Sequence, residues 1–191
     1  MQVAATVNEM VASTDAAVHL PSSLQWIYER SVDGTARFAL GTVGLKTLIC
    51  FGVNPSTAVP GDPDPTVRRV TSFAARDGFD SWIMLNLYPQ ISTDPKGLDR
   101  VCDPLLKLEN ERHIARLIDG RPLTLLAAWG GLIDTRGYLL SLLEDIVRVT
   151  DTAGCDWVSL GEPLGGGHPR HPSRARGDAP REPFDMSSYL S

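Results

Sequence analysis

The sequence predicts an α/β fold with a single open, mainly parallel sheet and helices on both faces. Three observations carry that prediction. Apolar runs of strand length recur along the chain, as in LICFGV around Cys50 and LTLLAA around Leu125. Segments with apolar residues at helical spacing lie between them. Two of those segments open on Asp-Pro, a helix-capping residue followed by the residue best suited to the first helical position. Strands alternating with amphipathic helices imply βαβ units, whose parallel strands are buried on both faces and so read as unbroken apolar runs.

Leu24 to Tyr28 and Arg37 to Leu40 read as short edge strands, with Asp33-Gly34 as the turn between them. Thr47 to Val53 reads as a buried strand. The helix after it has Asp64 as cap, Pro65 at its first position, and Val67, Val70, Phe73 and Ala74 on one face. Trp82 to Leu87 is the next buried strand. Asp103-Pro104 opens a helix carrying Leu105, Leu108, Ile114, Leu117 and Ile118. Leu123 to Ala128 is a third buried strand, ended by Trp129-Gly130-Gly131. Asp134 is expected to cap a helix through Leu139, Leu142, Leu143 and Ile146, and Asp156 to Leu160 is a short fourth strand. The expected organisation is a partly ordered arm over 1–18, one α/β domain over 19–172, and a polar C-terminal tail over 173–191. The tail is expected because its first half is charged and rich in Pro and Gly.

The bulk composition narrows the function classes. The 191 residues suit one domain with a sizeable core. Lys and Arg number 18 against 23 Asp and Glu, a net charge of -5, which argues against a strong grip on duplex DNA through its phosphates. The three cysteines, Cys50, Cys102 and Cys155, lack the spacing of a disulfide framework, a zinc site or an iron–sulfur site. A reducing, cytoplasmic setting is expected. No apolar run approaches a membrane span, and no secretory leader pattern is present at the N-terminus.

Ligands in such sheets bind beyond the carboxyl ends of the strands. Four strand ends are therefore candidates: Asn54-Pro55-Ser56-Thr57, Asn86-Leu87-Tyr88-Pro89, Trp129-Gly130-Gly131, and the loop Gly161 to His171. The first has no phosphate-cradling glycine-lysine pattern, and nothing in the chain matches a dinucleotide-binding fingerprint. Asn54 offers one acceptor and two donors in a plane, suited to orienting a water or reading a base edge; Asn-Pro-Ser is also an ordinary turn. Asp62 is a candidate general base or metal ligand, although no third ligand is evident beside Asp62 and Asp64. Arg68 falls in the first turn of the helix, where it either faces a phosphate or simply lies exposed. Asn86 and Tyr88 suit a flat heterocycle, one by hydrogen bonds and one by stacking. Trp129 reads as core or as a stacking platform. The run GGGHPRHPSR holds two of the four histidines, His168 and His171, with Arg170 between them. Its glycines permit close backbone approach, and its imidazoles can donate to developing negative charge.

In order along the chain, GVNPSTA, DPTVRR, NLYP, DPKGL, AAWG and GHPRHP resemble a bacterial and phage family catalogued only as a domain of unknown function, family 1643. The likeness spans roughly Arg37 to Pro172. A more distant resemblance is to the uracil-DNA-glycosylase superfamily, which also has an open α/β sheet. That superfamily has an early Gly-x-Asn-Pro or Gly-x-Asp-Pro loop and a late His-Pro loop. The resemblance implies that Gly52-Val53-Asn54-Pro55 positions an attacking water and that Asn86 reads a base. It further implies that His168-Pro169, or alternatively His171-Pro172, supports the departing base. Asn54 stands where the strongest of those enzymes carry an acid, and Ser173 onward has no apolar wedge for piercing a duplex.

The function expected is thus an N-glycosidase-like hydrolase acting on a nucleotide, a nucleoside or a modified base in DNA. Asn54, Asp62 and His168 are the expected catalytic residues. Pro55, Ser56, Thr57, Arg68, Asn86, Tyr88, Trp129, Gly130, Arg170 and His171 are the expected substrate contacts. No metal or cofactor is implied, and single-stranded or modified DNA is a candidate partner. A non-catalytic nucleotide or nucleic-acid binder, or a transferase of nucleobase metabolism, would use the same loops.

Overall fold

The computed structural model describes residues 25–191. The arm expected over 1–18, and Leu24 at the start of the first expected strand, lie outside them. The strands are β1 (Trp26–Arg30), β2 (Arg37–Thr42), β3 (Thr47–Gly52), β4 (Ser81–Asn86), β5 (Thr124–Ala127), β6 (Asp156–Leu160) and β7 (Arg181–Pro183). The helices are α1 (Pro65–Arg76), α2 (Pro104–Ile118), α3 (Tyr138–Thr152) and the short α4 (Met186–Tyr189).

The strands form one seven-stranded sheet in the order β1-β2-β4-β3-β5-β6-β7. The pairs β3–β4, β3–β5 and β5–β6 are parallel, while β1–β2, β2–β4 and β6–β7 are antiparallel. The sheet is therefore mixed rather than mainly parallel: a parallel centre flanked by antiparallel strands. Its α/β centre follows from the apolar runs; of the antiparallel borders, β1–β2 is a hairpin closed by the short connection 31–36, whereas β7 reaches β6 only after the long connection 161–180. β2 is not an edge strand, because it lies between β1 and β4 and is buried throughout.

Local chemistry sets the helix starts. Asp64 accepts from Val67 N at 2.8 Å, and Pro65 costs nothing in the first turn because its missing N–H would have had no intrahelical partner. Asp103 does the same for α2 through Leu105 N and Leu106 N. Asp134 does not cap α3. The helix starts at Tyr138 after a 3₁₀ segment over Gly130–Thr135, and the Asp134 carboxylate turns to His168 instead.

The faces of the sheet carry different helices. Val67, Val70 and Phe73 of α1 pack with Leu40, Leu48, Cys50 and Met84. Ile114 and Leu117 of α2 join Leu139, Leu142 and Ile146 of α3 with Ile49, Phe51 and Leu125 on the other side. From β3 the chain passes through α1 to β4, then crosses by α2 to β5 on the far side of β3. The connections after β3 and β5 thus diverge, opening a crevice at the carboxyl ends of the strands.

Residues 173–191 are not a loose polar tail. Glu182 pairs with Ser159 in the β6–β7 ladder, and Phe184 and Met186 are 8% and 7% exposed within the core. Pro183 is tolerated because β7 is an edge strand. A few apolar residues in a polar stretch anchor it, and their partners lie far away in sequence. Among the described residues no helix is long and apolar enough to cross a membrane.

Candidate functional site

A recess of about 390 Å³ opens at the carboxyl ends of β3 and β4, beside the start of α1. Asn54, Asn86, Arg37, Asp64 and His171 all contribute to its wall.

Asn54 follows β3. Its Nδ2 donates to Pro55 O at 2.9 Å and Ser92 O at 2.8 Å. Two carbonyl acceptors require the nitrogen on that side, so Oδ1 is the atom left to accept from a ligand or a water. Pro55 itself is buried and contributes its carbonyl, which also accepts from Ser92 N at 3.0 Å. One amide thus ties the turn together through Nδ2 while Asn54 also lines the recess.

Asn86 ends β4 opposite Gly52 in the parallel ladder. It is 2% exposed, and its Nδ2 is buried with no hydrogen-bond partner. A buried unpaired donor is costly, on the order of 1–3 kcal/mol, which is offset when a ligand supplies an acceptor. A Cβ on Gly52 would stand 3.0 Å from Asn86 Oδ1, so glycine there makes room for the amide. From α2, Asn110 Nδ2 donates to Asn86 O at 2.9 Å and Leu87 O at 3.3 Å, fixing the end of the strand from behind.

Among the described residues, His171 is the histidine that lines this recess. Its Nδ1 accepts from Ser173 N at 3.4 Å and lies 2.8 Å from Ser173 Oγ. With Nδ1 accepting, the neutral ring carries its proton on Nε2. Burial pushes its pKa below the usual 6.5; the Asp64 carboxylate opposes that shift and Arg174 adds to it. Arg69 holds this loop against α1 by donating from Nη2 to Ala175 O and from Nε to Pro172 O at 3.4 Å.

Arg37 and Asp64 line the recess although the sequence reading does not single them out as ligand contacts. Arg37 is 3% exposed; Nη1 donates to Ala58 O at 2.5 Å, while Nε is buried without a partner. Burial pushes its pKa down, opposed by Asp64. The available signal was an arginine opening the apolar run RFALGT, where a charge needs a reason to be buried. Asp64, the cap of α1, is a carboxylate of the recess as well.

The other expected residues divide. Ser56 and Thr57 line the recess with Asn54. Asp62 does not: it closes a tight turn with Val59 and its side chain is exposed outside. Arg68 donates to Pro63 O and points to solvent. Tyr88 is fully buried on the opposite face, with its ring against Tyr138 and its hydroxyl accepting from Asp103 N at 3.1 Å. Trp129 is fully buried among Trp157, Phe184 and Tyr189. Gly130, with φ +58°, packs behind His171. Arg170 donates from Nε to Glu162 O at 2.9 Å and borders a neighbouring hollow with His171 and Arg174. His168 lies in a different hollow, between Asp134 and Tyr189. Among the described residues no cluster of His, Cys, Asp and Glu could hold a metal ion.

A family described as a protein of unknown function (DUF1643) matches residues 37–173. The chain belongs to this family. The DUF1643 match begins at Arg37 and ends at Ser173, and both residues line the recess. No curated protein and no solved structure matches the chain.

Proposed function

We propose that this DUF1643 protein is an N-glycosidase-like hydrolase of the base–sugar bond, with a site resembling that of the uracil-DNA-glycosylase superfamily. The observation that carries the reading is the meeting of Asn54, Asn86 and His171 in one recess at the carboxyl ends of β3 and β4. Each offers a complementary atom. Asn86 Nδ2 is a buried donor awaiting an acceptor such as a base carbonyl. Asn54 Oδ1 can accept from a water. His171 Nε2–H can donate to the base as its bond to the sugar breaks and charge develops on it.

An amide cannot take a proton. Asp64 is the carboxylate placed for that part, and it replaces Asp62. Its Oδ1 is held by the helix cap, which orients the group and leaves Oδ2 for the water proton. Water would attack the anomeric carbon, the base would leave with the bonding pair, and Asp64 would receive the proton. The same lack of an acid at position 54 favours, as second reading, a binder that uses these donors without cleavage.

Product analysis tests both. The protein is incubated with nucleosides, nucleotides and uracil-containing single-stranded DNA, and free base is measured. Release that falls on the order of 10²-fold in His171→Ala supports the hydrolase. Binding without release from any substrate favours the second reading.

A further inference from the structure

Arg37 is a buried cation that forms no ion pair among the described residues, at the wall of an open recess. One carbonyl satisfies Nη1, and Nε has nothing. Removing a guanidinium from water is expensive, and a protein that keeps one at 3% exposure must supply a counter-charge or take one from a ligand. Asp64 stands close enough to influence Arg37 but makes no ion pair with it, its Oδ1 accepting from Val67 N at the start of α1.

The surroundings name the anion. Ser56, Thr57 and Thr66 line the same recess between the Asn54 loop and the first turn of α1. Thr66 follows Pro65, so its backbone N–H belongs to the set that the helix itself cannot satisfy. A planar carboxylate is served by the guanidinium alone. A tetrahedral phosphate presents acceptors in several directions and can use a guanidinium, hydroxyls and a helix-terminal N–H together.

We propose that Arg37, with Ser56, Thr57 and Thr66, forms a phosphate subsite, so that the ligand is a free nucleoside monophosphate. This deepens the reading of the recess as a nucleoside-type site and rests on it for the base and sugar. A free nucleotide is favoured over a strand because the recess is the size of one small ligand and the chain is acidic overall.

The test is a titration of the intact ¹⁵N-labelled protein with inorganic phosphate, against chloride at equal ionic strength, observing the Arg37 Nε–H resonance. A saturable shift specific to phosphate is expected. Each common nucleoside is then compared with its 5′-monophosphate, which should bind about 10- to 100-fold more tightly. Arg37→Gln should abolish that difference; if this variant fails to fold, the wild-type titration decides alone. Absence of a phosphate-specific shift, or equal affinity for nucleoside and nucleotide, overturns the subsite. A single-stranded oligonucleotide that outcompetes the monophosphate overturns the choice of a free nucleotide. Phosphate binding without base release leaves the subsite standing and removes the hydrolase reading; base release without phosphate preference does the reverse.

Discussion

His168 bridges two distant parts of the chain, with Nδ1 2.8 Å from the Tyr189 hydroxyl and Nε2 3.0 Å from Asp134 Oδ2. Trp129 Nε1 donates to that same hydroxyl at 3.1 Å. In the neutral tautomer that donates from Nε2 to the Asp134 carboxylate, Nδ1 is the acceptor and the Tyr189 hydroxyl donates to it. The chain of bonds ties α4, the Gly-rich loop and the 3₁₀ segment after β5 together.

That arrangement separates the two histidines by role. His168→Ala should cost on the order of 1–3 kcal/mol of stability, read as a lowered urea midpoint, because it leaves partly buried polar groups unpaired. It should leave base release per folded molecule unchanged. His171→Ala should give the opposite pattern. A His168→Ala protein of native stability that releases no base would reverse the assignment.

Asn54→Asp imitates the acid of the strongest glycosylases but should not improve this protein. The substitution removes the donor to Pro55 O and Ser92 O and sets a carboxylate against both carbonyls. A loss of about 1–3 kcal/mol and no rise in base release are expected. Unfolding curves and release rates, measured side by side, check both halves. Increased turnover would show that the loop can re-form around an acid.

Glycine substitutions should distinguish scaffold from site. A Cβ on Gly41 would meet Trp82 O at 2.4 Å and Ile83 Cα at 2.8 Å, both backbone atoms of β4 that cannot swing aside. Gly41→Ala should therefore lose about 1–3 kcal/mol or more and lower the thermal midpoint. A Cβ on Gly52 meets a side-chain atom, Asn86 Oδ1 at 3.0 Å, which can shift by a few tenths of an ångström. Gly52→Ala should weaken ligand binding more than it weakens folding, as calorimetric titration of each variant would show.

The burial of His171 makes stability depend on pH in a definite direction. Its folded pKa lies below the unfolded value of 6.5. As pH falls through 6.5 the unfolded chain binds a proton at this site before the folded protein does, so stability falls. The fall ends once pH passes below the lowered folded pKa. His171→Gln should flatten the stability profile just below pH 6.5, measured by denaturant unfolding at a series of pH values. A profile unchanged by the substitution would show that the imidazole is solvated.

Much of the scaffold was legible locally. LICFGV announced β3, the Asp-Pro pairs announced α1 and α2, and Asp156 to Leu160 was read with its observed ends. The place of Asn54 and Asn86 at strand ends lining the recess was also legible, because each amide closes an apolar run. For Arg37 the apolar run RFALGT signals only an unusual burial; its partner, a loop about twenty residues ahead, is not encoded locally.

The sequence by itself determined the α/β class, the parallel centre and the loops able to form a site, because periodicity, caps and turn residues act over a few neighbours. Only the tertiary structure decided which side chains share one recess. Tyr88 and Trp129 turned into the core, where burying a large ring outweighs displaying it. His171 rather than His168 reached the recess, because Arg69 draws its loop onto α1 while Tyr189 and Asp134 hold the earlier histidine. Phe184 and Met186 made a strand and a helix of an apparent tail by finding a core formed by residues distant in sequence. These choices depend on long-range burial and pairing, and no local pattern encodes them.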